Sequence, residues 1–127
     1  MKKKIIFFSG NRAEYSFQKY IIKKIKNKFD IDFIVSGSHL KNEFGEFFNQ
    51  IKKDKIHITK KIDIRNSTNN ISNFNNYILD LNKGLINYIK GKKFDFAFVF
   101  SDRFETFIFA YICFLNQIPI IHYEGGD

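Results

Sequence analysis

Several residues that could do chemistry stand where short apolar runs give way to polar sequence. Ile5-Ile6-Phe7-Phe8-Ser9 is followed by Gly10-Asn11-Arg12-Ala13-Glu14, and Phe33-Ile34-Val35-Ser36-Gly37-Ser38 by His39. Phe96-Ala97-Phe98-Val99-Phe100-Ser101 is followed by Asp102 and Arg103, and Ile118-Pro119-Ile120-Ile121 by His122-Tyr123-Glu124. Asp102 and Glu124 are the carboxylates whose pairing would let protons move on opposite sides of a substrate carbon. Asp102 follows the most apolar run, so partial desolvation is expected to suit it to acid/base work, with Arg103 opposing that effect. The alternative for Asp102, or for Ser101, is capping of the helix that follows. Gly10 permits close backbone approach, a helix N-terminus attracts phosphate, and Arg12 could grip one bidentately. Only Gly10 is present, so this is not the dinucleotide G-x-G-x-x-G spacing. The competing reading is a tight turn with Arg12 in solvent and Glu14 complementing the helix dipole, a role that also fits Glu105. Gly125-Gly126 gives Glu124 the backbone freedom to be aimed into a cleft; a loop carboxylate is the plainer alternative. His39 and His122 are candidate substrate contacts or hydrogen-bonded structural residues. No His pair has metal-ligand spacing, and Ser9, Ser36 and Ser101 lack the context of a nucleophilic serine.

One architecture brings these scattered positions together. Strand and helix signals alternate along the chain. Strands are expected at Lys4–Ser9, Asp32–Ser36, Ile56–Ile64, Phe94–Phe100 and Ile118–Tyr123. Helices are expected at Tyr15–Lys26, Asn42–Lys53, Ile71–Tyr88 and Phe104–Asn116, the third preceded by capping candidates in Ser67–Asn73 and closed by Gly91. Ile56–Ile64 alternates polar and apolar residues, as a strand nearer the sheet edge would. Phe104–Asn116 is apolar almost all round, which implies deep packing or a cover. Repeated βα units of this length require parallel pairing and right-handed crossovers. The expected product is a three-layer α/β sandwich with strand order 3-2-1-4-5 and a switch point between strands one and four. In such sheets ligands bind at the carboxyl ends of the strands, beside the switch point.

Composition limits the alternatives. The 127 residues fit one folded domain, with 44% hydrophobic and 27% charged residues. The net charge of +8 admits either a coding bias toward Lys, Ile, Asn and Phe or an anionic partner. The lysines are spread over expected helix faces as Lys23-Lys24, Lys52-Lys53 and Lys92-Lys93 rather than clustered with exposed aromatics, which argues against nucleic acid. The single cysteine, Cys113, excludes an internal disulfide and any Cys-based zinc site, and its apolar surroundings make it a core residue. The apolar run after Met1-Lys2-Lys3-Lys4 is too short for a signal peptide, and no run reaches membrane-spanning length, so a cytoplasmic protein is expected. The sequence stops on Asp127, just after a strand, where a doubly wound domain would continue into a helix. The expectation is residues 1–127 as an incomplete unit, either a fragment or one part of a split protein.

Four segments together resemble the start of the UDP-N-acetylglucosamine 2-epimerase family. Gly10-Asn11-Arg12-Ala13-Glu14-Tyr15 resembles its G-T-R-A-E-Y opening. Ser36-Gly37-Ser38-His39-Leu40 with Glu43-Phe44-Gly45 resembles its T-G-x-H-L…E-F-G segment. Ser101-Asp102-Arg103-Phe104-Glu105 resembles G-D-R-x-E, and Ile118 through Asp127 resembles I-P-I-x-H-x-x-G-G-[DE]. Asn11 departs from the usual Thr, and Ser101 from the usual Gly. The R-A-E-Y form is similar to the hydrolysing branch rather than to the R-P-E of the non-hydrolysing one.

The resemblance implies the first Rossmann-like domain of a GT-B architecture, with a second such domain supplied by the complete protein or a separate chain. It implies a UDP-sugar substrate, either UDP-N-acetylglucosamine or a diacetamido relative. C2 proton abstraction, loss of UDP and hydration would give the free 2-epimeric sugar, without metal or nicotinamide, in the service of sialic-acid-like sugar synthesis. By resemblance Asp102 and Glu124 are the acid/base carboxylates, and Arg12 with Gly10 meets the nucleotide phosphates. His39, Arg103 and His122 lie near the substrate. A further catalytic carboxylate and most of the uridine site would lie beyond Asp127, so little turnover is expected of this chain alone. Self-association is left open. Two other readings stand beside this one: a GT-B glycosyltransferase fragment, and a non-catalytic flavodoxin-like module that binds nucleotide sugars.

Overall fold

The computed structural model describes residues 1–36, 45–64 and 67–123. Nine elements follow in order: β1 (Lys3–Ser9), α1 (Arg12–Ile25), β2 (Phe29–Val35), α2 (Gly45–Lys53), β3 (Lys60–Lys61), α3 (Ile71–Ile89), β4 (Phe96–Phe100), α4 (Phe104–Leu115) and β5 (Ile120–Tyr123). The strands form one parallel sheet in the order β3-β2-β1-β4-β5, the order expected from the sequence. The direction of travel reverses between β1 and β4, which makes their carboxyl ends the switch point.

Period-2 alternation along the central strands sorts two cores. Ile6, Phe8, Ile34, Ala97 and Val99 face α3 and α4, packing on Leu81, Leu85, Phe109 and Ile112. Ile5, Phe7, Phe33 and Val35 face the other way, onto Tyr15, Ile22, Phe47 and Ile51 of α1 and α2. The central strands are buried on both sides, which is why they read as continuous apolar runs. Phe takes up much of the filling: Phe7 stacks on Phe98 at 5.0 Å and Phe8 on Phe109 at 5.3 Å. Cys113 is fully buried in the α3/α4 core, and burial pushes its thiol up to about 12, as befits a packing residue.

Several boundaries differ from the sequence reading for physical reasons. α1 starts at Arg12, three residues early, because Asn11 caps it: its side chain accepts a hydrogen bond from the Glu14 amide. The expected strand Ile56–Ile64 contracts to Lys60–Lys61. The Thr59 hydroxyl accepts the Phe33 N–H at 2.8 Å, where a backbone carbonyl would continue the ladder. The N-terminal part of the second helix reading, Asn42–Phe44, lies outside the described residues. α3 begins after Asn70, whose side chain accepts from the Asn73 amide, and its exit passes through Gly91 at φ +76°. Gly84 in α3 is needed for close approach: a Cβ there would lie 2.6 Å from Cγ2 of the buried Ile62.

α4 departs most from expectation. One face, with Ile108, Phe109, Ile112 and Cys113, is buried, while Phe107, Tyr111, Phe114 and Leu115 are more than half exposed. That outer face is neither packed into the core nor covered by any described residue. Beside the helix, β5 sits at the sheet edge with every residue exposed. No helix among the described residues is long and apolar enough to cross a membrane.

Candidate active site

The polar residues at the strand ends are first fixed to the framework by hydrogen bonds. The Ser9 hydroxyl donates to the Asn11 carbonyl, and the buried Gln18 amide reaches from α1 to the Phe8 carbonyl at 2.7 Å. Thr106 does the same from α4, donating to the Phe100 carbonyl at 3.2 Å. Ser36 ties β2 to its neighbours, its amide donating to Ser9 and its hydroxyl to Ile62. Small hydroxyl residues at the ends of strands thus satisfy backbone groups just where the ladder stops.

At the switch point these ends enclose a cluster of buried charge. Glu14 and Glu105 are each only 2% exposed. One Glu14 oxygen accepts the Gly10 amide at 3.2 Å; the other accepts the Asn11 side-chain amide at 3.0 Å and lies 3.9 Å from Arg103 Nε. Glu105 accepts from Arg103 Nη2 at 3.2 Å and from the Tyr77 hydroxyl at 2.7 Å. One guanidinium, half exposed, therefore bridges two buried carboxylates on different helices. Desolvation drives the Glu14 carboxyl up to about 7; the Gly10 amide opposes this, the Glu105 charge adds to it, and Arg103 and Asn11 oppose it. Burial and the neighbouring Glu105 push the Tyr77 phenol well above its ordinary range, so it remains a donor. A Cβ on Gly10 would lie 3.0 Å from Glu105 Oε2, so the Glu105 carboxylate would have to shift to admit a side chain there.

The dipole role expected of Glu105, and of Glu14 in one of its two readings, fits their places in the first turns of α4 and α1, but the structure adds a role that reading lacks. Both are structural partners of Arg103, and neither is solvated. The signal available was the Asn11-x-x-Glu14 capping spacing. Glu105 gave no local signal, since its burial depends on Tyr77, twenty-eight residues away.

The other candidates divide by position. Asp102 lies at the end of β4 and is exposed, so the expected desolvation falls on Glu14 instead. The capping alternative for Asp102 and Ser101 also fails: Arg103 occupies the N-cap of α4, and among the described residues no side-chain capping hydrogen bond is made there. Ser101 has φ +68°, the left-handed region that favours glycine. His122 projects from the neighbouring β5, its Nε2 donating to the Ser101 carbonyl at 2.9 Å, so it stands next to the Asp102 turn. Arg12 is 54% exposed in its side chain and pairs with Glu46 of α2 at 3.5 Å. It borders a groove of about 340 Å³ between α1 and α2, together with Lys19 and Glu46. Its ion pair thus runs toward the β2 side, while Asp102 and Arg103 sit on the β4 side. Gly10, Arg103, Asp102 and His122 occupy adjoining strand ends; His39 and Glu124 lie outside the described residues. Among the described residues no group of three His, Cys, Asp or Glu side chains could hold a metal ion.

The sequence and the fold resemble those of known proteins. Residues 23–127 match the family model described as UDP-N-acetylglucosamine 2-epimerase. The chain is 29% identical over 128 residues to the polysialic acid biosynthesis protein P7 of Escherichia coli, covering 98% of this chain and 32% of that protein. It is 30% identical over 128 residues to the GDP/UDP-N,N'-diacetylbacillosamine 2-epimerase (hydrolyzing) of Campylobacter jejuni, covering 99% and 33%. The fold superposes on the UDP-GlcNAc 2-epimerase of Neisseria meningitidis bound to UDP-GlcNAc with a TM-score of 0.79, at 18% identity, covering 98% of this chain and 33% of that one. The chain spans about a third of the length of the relatives it matches. With the family model covering most of its length, the chain belongs to the UDP-N-acetylglucosamine 2-epimerase family.

Proposed function

We propose that this chain forms one wall of a hydrolysing 2-epimerase site for a UDP-linked 2-acetamido sugar. The observation that carries the reading is the gathering of Gly10, Arg103, Asp102 and His122 at adjoining strand ends of the switch point, in a chain whose named relatives include a hydrolysing 2-epimerase. In the proposed route a carboxylate takes the C2 proton. The C1–O bond to UDP breaks as the C1=C2 bond forms, and UDP leaves with the bonding pair. Water then adds hydroxide to C1 and a proton to the opposite face of C2. Asp102 and Glu124 are the proposed proton carriers, an exposed Asp102 being free to meet substrate. Arg12 and the Gly10 turn are the proposed phosphate contacts, and His39 a further substrate contact. A second Rossmann-like domain would close the other side of a GT-B cleft and exclude water. A cytoplasmic location follows for an enzyme acting on nucleotide sugars.

The test is UDP release from UDP-N-acetylglucosamine and from UDP-N,N'-diacetylbacillosamine, with and without a candidate second-domain chain. Release is expected only with the second chain, and Asp102→Asn is expected to lower it about 100-fold or more. Release that requires a sugar acceptor would favour a glycosyltransferase. Tight binding without any chemistry, with or without the second chain, would favour a binding module.

A further inference from the structure

Arg103 is the only described side chain that touches both buried carboxylates, and the two belong to different helices that start at different strand ends. Glu14 lies in the first turn of α1, just after β1, and also accepts the Gly10 amide. Glu105 lies in the first turn of α4, just after β4, and is braced from behind by Tyr77 of α3. We propose that Glu14 and Glu105 are positioning residues which, through Arg103, clamp the β1–α1 turn to the β4–α4 turn across the switch point. The inference rests on the functional reading above only in taking those two turns as the surface a nucleotide sugar meets.

The arrangement has the properties of a clamp. Burying two carboxylates costs several kcal/mol unless each is paired and hydrogen-bonded. Four partners offset part of that cost, with desolvation still the larger effect at Glu14: Arg103, the Gly10 amide, the Asn11 side chain and the Tyr77 hydroxyl. Removing any one leaves a buried charge poorly satisfied, so the turns resist independent movement. The groups facing Glu14 are Gly10 and Asn11 from its own turn, Arg103 from the β4–α4 turn and Glu105 from α4; Tyr77 of α3 reaches the cluster through Glu105. Protonation of Glu14 would weaken its hold on Arg103 and so be felt at the other turn.

The experiment is a pH series of two-dimensional 1H–15N NMR spectra of the 127-residue chain from pH 5.5 to 8.5. Signals of the Gly10 amide, the Asp102 amide and Arg103 Nε–H are expected to move together, with one midpoint near 7. Glu105→Gln, which removes the like charge, should lower that midpoint by about 1 unit, and Arg103→Gln should raise it by about 1 unit. Glu14→Gln should abolish the step at all three signals. Direct contact with Glu14 alone predicts movement at Gly10 and at Arg103 Nε–H, and it is movement at the Asp102 amide that the clamp adds. A static Asp102 signal, or a midpoint indifferent to Glu105→Gln and Arg103→Gln, would overturn the clamp. Adding UDP to the same sample separates the two claims. Joint titration with no UDP-dependent shifts at either turn refutes the substrate reading and keeps the clamp; UDP shifts without joint titration do the reverse.

Discussion

Ser101 offers a measurement of what the end of β4 costs the fold. Its φ of +68° places an L-residue with a Cβ in the left-handed region, at about 1–2 kcal/mol. Its contacts to neighbouring strands are made by backbone: the amide donates to the Tyr123 carbonyl at 2.9 Å, and the carbonyl accepts from His122 at 2.9 Å. The hydroxyl oxygen is buried and has no hydrogen-bond partner among the described residues. Ser101→Gly therefore relieves the strain and keeps both backbone bonds. Against this, glycine loses about 0.5–1 kcal/mol more backbone freedom on folding. The net expectation is a gain of about 1 kcal/mol, which raises Tm by roughly 3–5 °C for a domain of this size. Urea and thermal unfolding of the two proteins measure it directly. Ser101→Ala is the control, because it removes the hydroxyl and leaves the backbone where it was. If Ser101→Gly is no more stable than the parent, or if Ser101→Ala gains as much, the argument from backbone strain is wrong.

Three further outcomes follow from the geometry. The Glu14 carboxyl titrates at about 7 when folded, above its ordinary 4.5, so the folded state holds its proton more tightly. Its contribution to stability is full below about pH 4.5 and is lost as pH rises through 7, a swing of about 3 kcal/mol. Glu14→Gln should flatten the stability profile over that window and exceed the parent in urea resistance at pH 8; parallel profiles would refute this. Gly84→Ala should lose about 1 kcal/mol despite alanine's better helix propensity, since its Cβ meets Ile62 Cγ2 at 2.6 Å. A double-mutant cycle with Ile62→Ala should show coupling between the two positions, and additive losses would contradict the clash. Tyr77→Phe removes the hydrogen bond behind Glu105 and should cost about 1–3 kcal/mol in unfolding free energy, with near-parent stability as the refuting result.

The sheet order was readable because few topologies satisfy five apolar runs separated by amphipathic segments. Right-handed crossovers and the two-sided burial of β1 and β4 remove most alternatives. The edge was harder. Whether Ile56–Ile64 pairs along its length depends on a hydroxyl, Thr59, intruding on one ladder bond. Local pattern does not encode that event. α4 misled for a different reason: Phe107, Tyr111 and Phe114 carry the same apolar signal as Phe109 and Ile112, and only the third dimension separates the outer set from the inner one. At the site, the turns themselves followed from strand ends and small residues. The role of Glu105 did not, since the phenol and guanidinium that bury it come from α3 and from a residue itself positioned by the fold.

The flank formed by β5 and the outer side of α4 has a practical bearing on anyone purifying this polypeptide. Among the described residues β5 ends the sheet with Ile121 and Tyr123 exposed on the face of α1 and Ile120 on the face of α4, while Phe107, Phe114 and Leu115 are exposed on α4 itself. Strand margins of this kind recruit one another edge to edge. Concentrated stocks should therefore turn cloudy or form oligomers whose size grows with protein concentration. A lysine introduced on the edge strand itself, at the exposed Ile121, should delay that clouding.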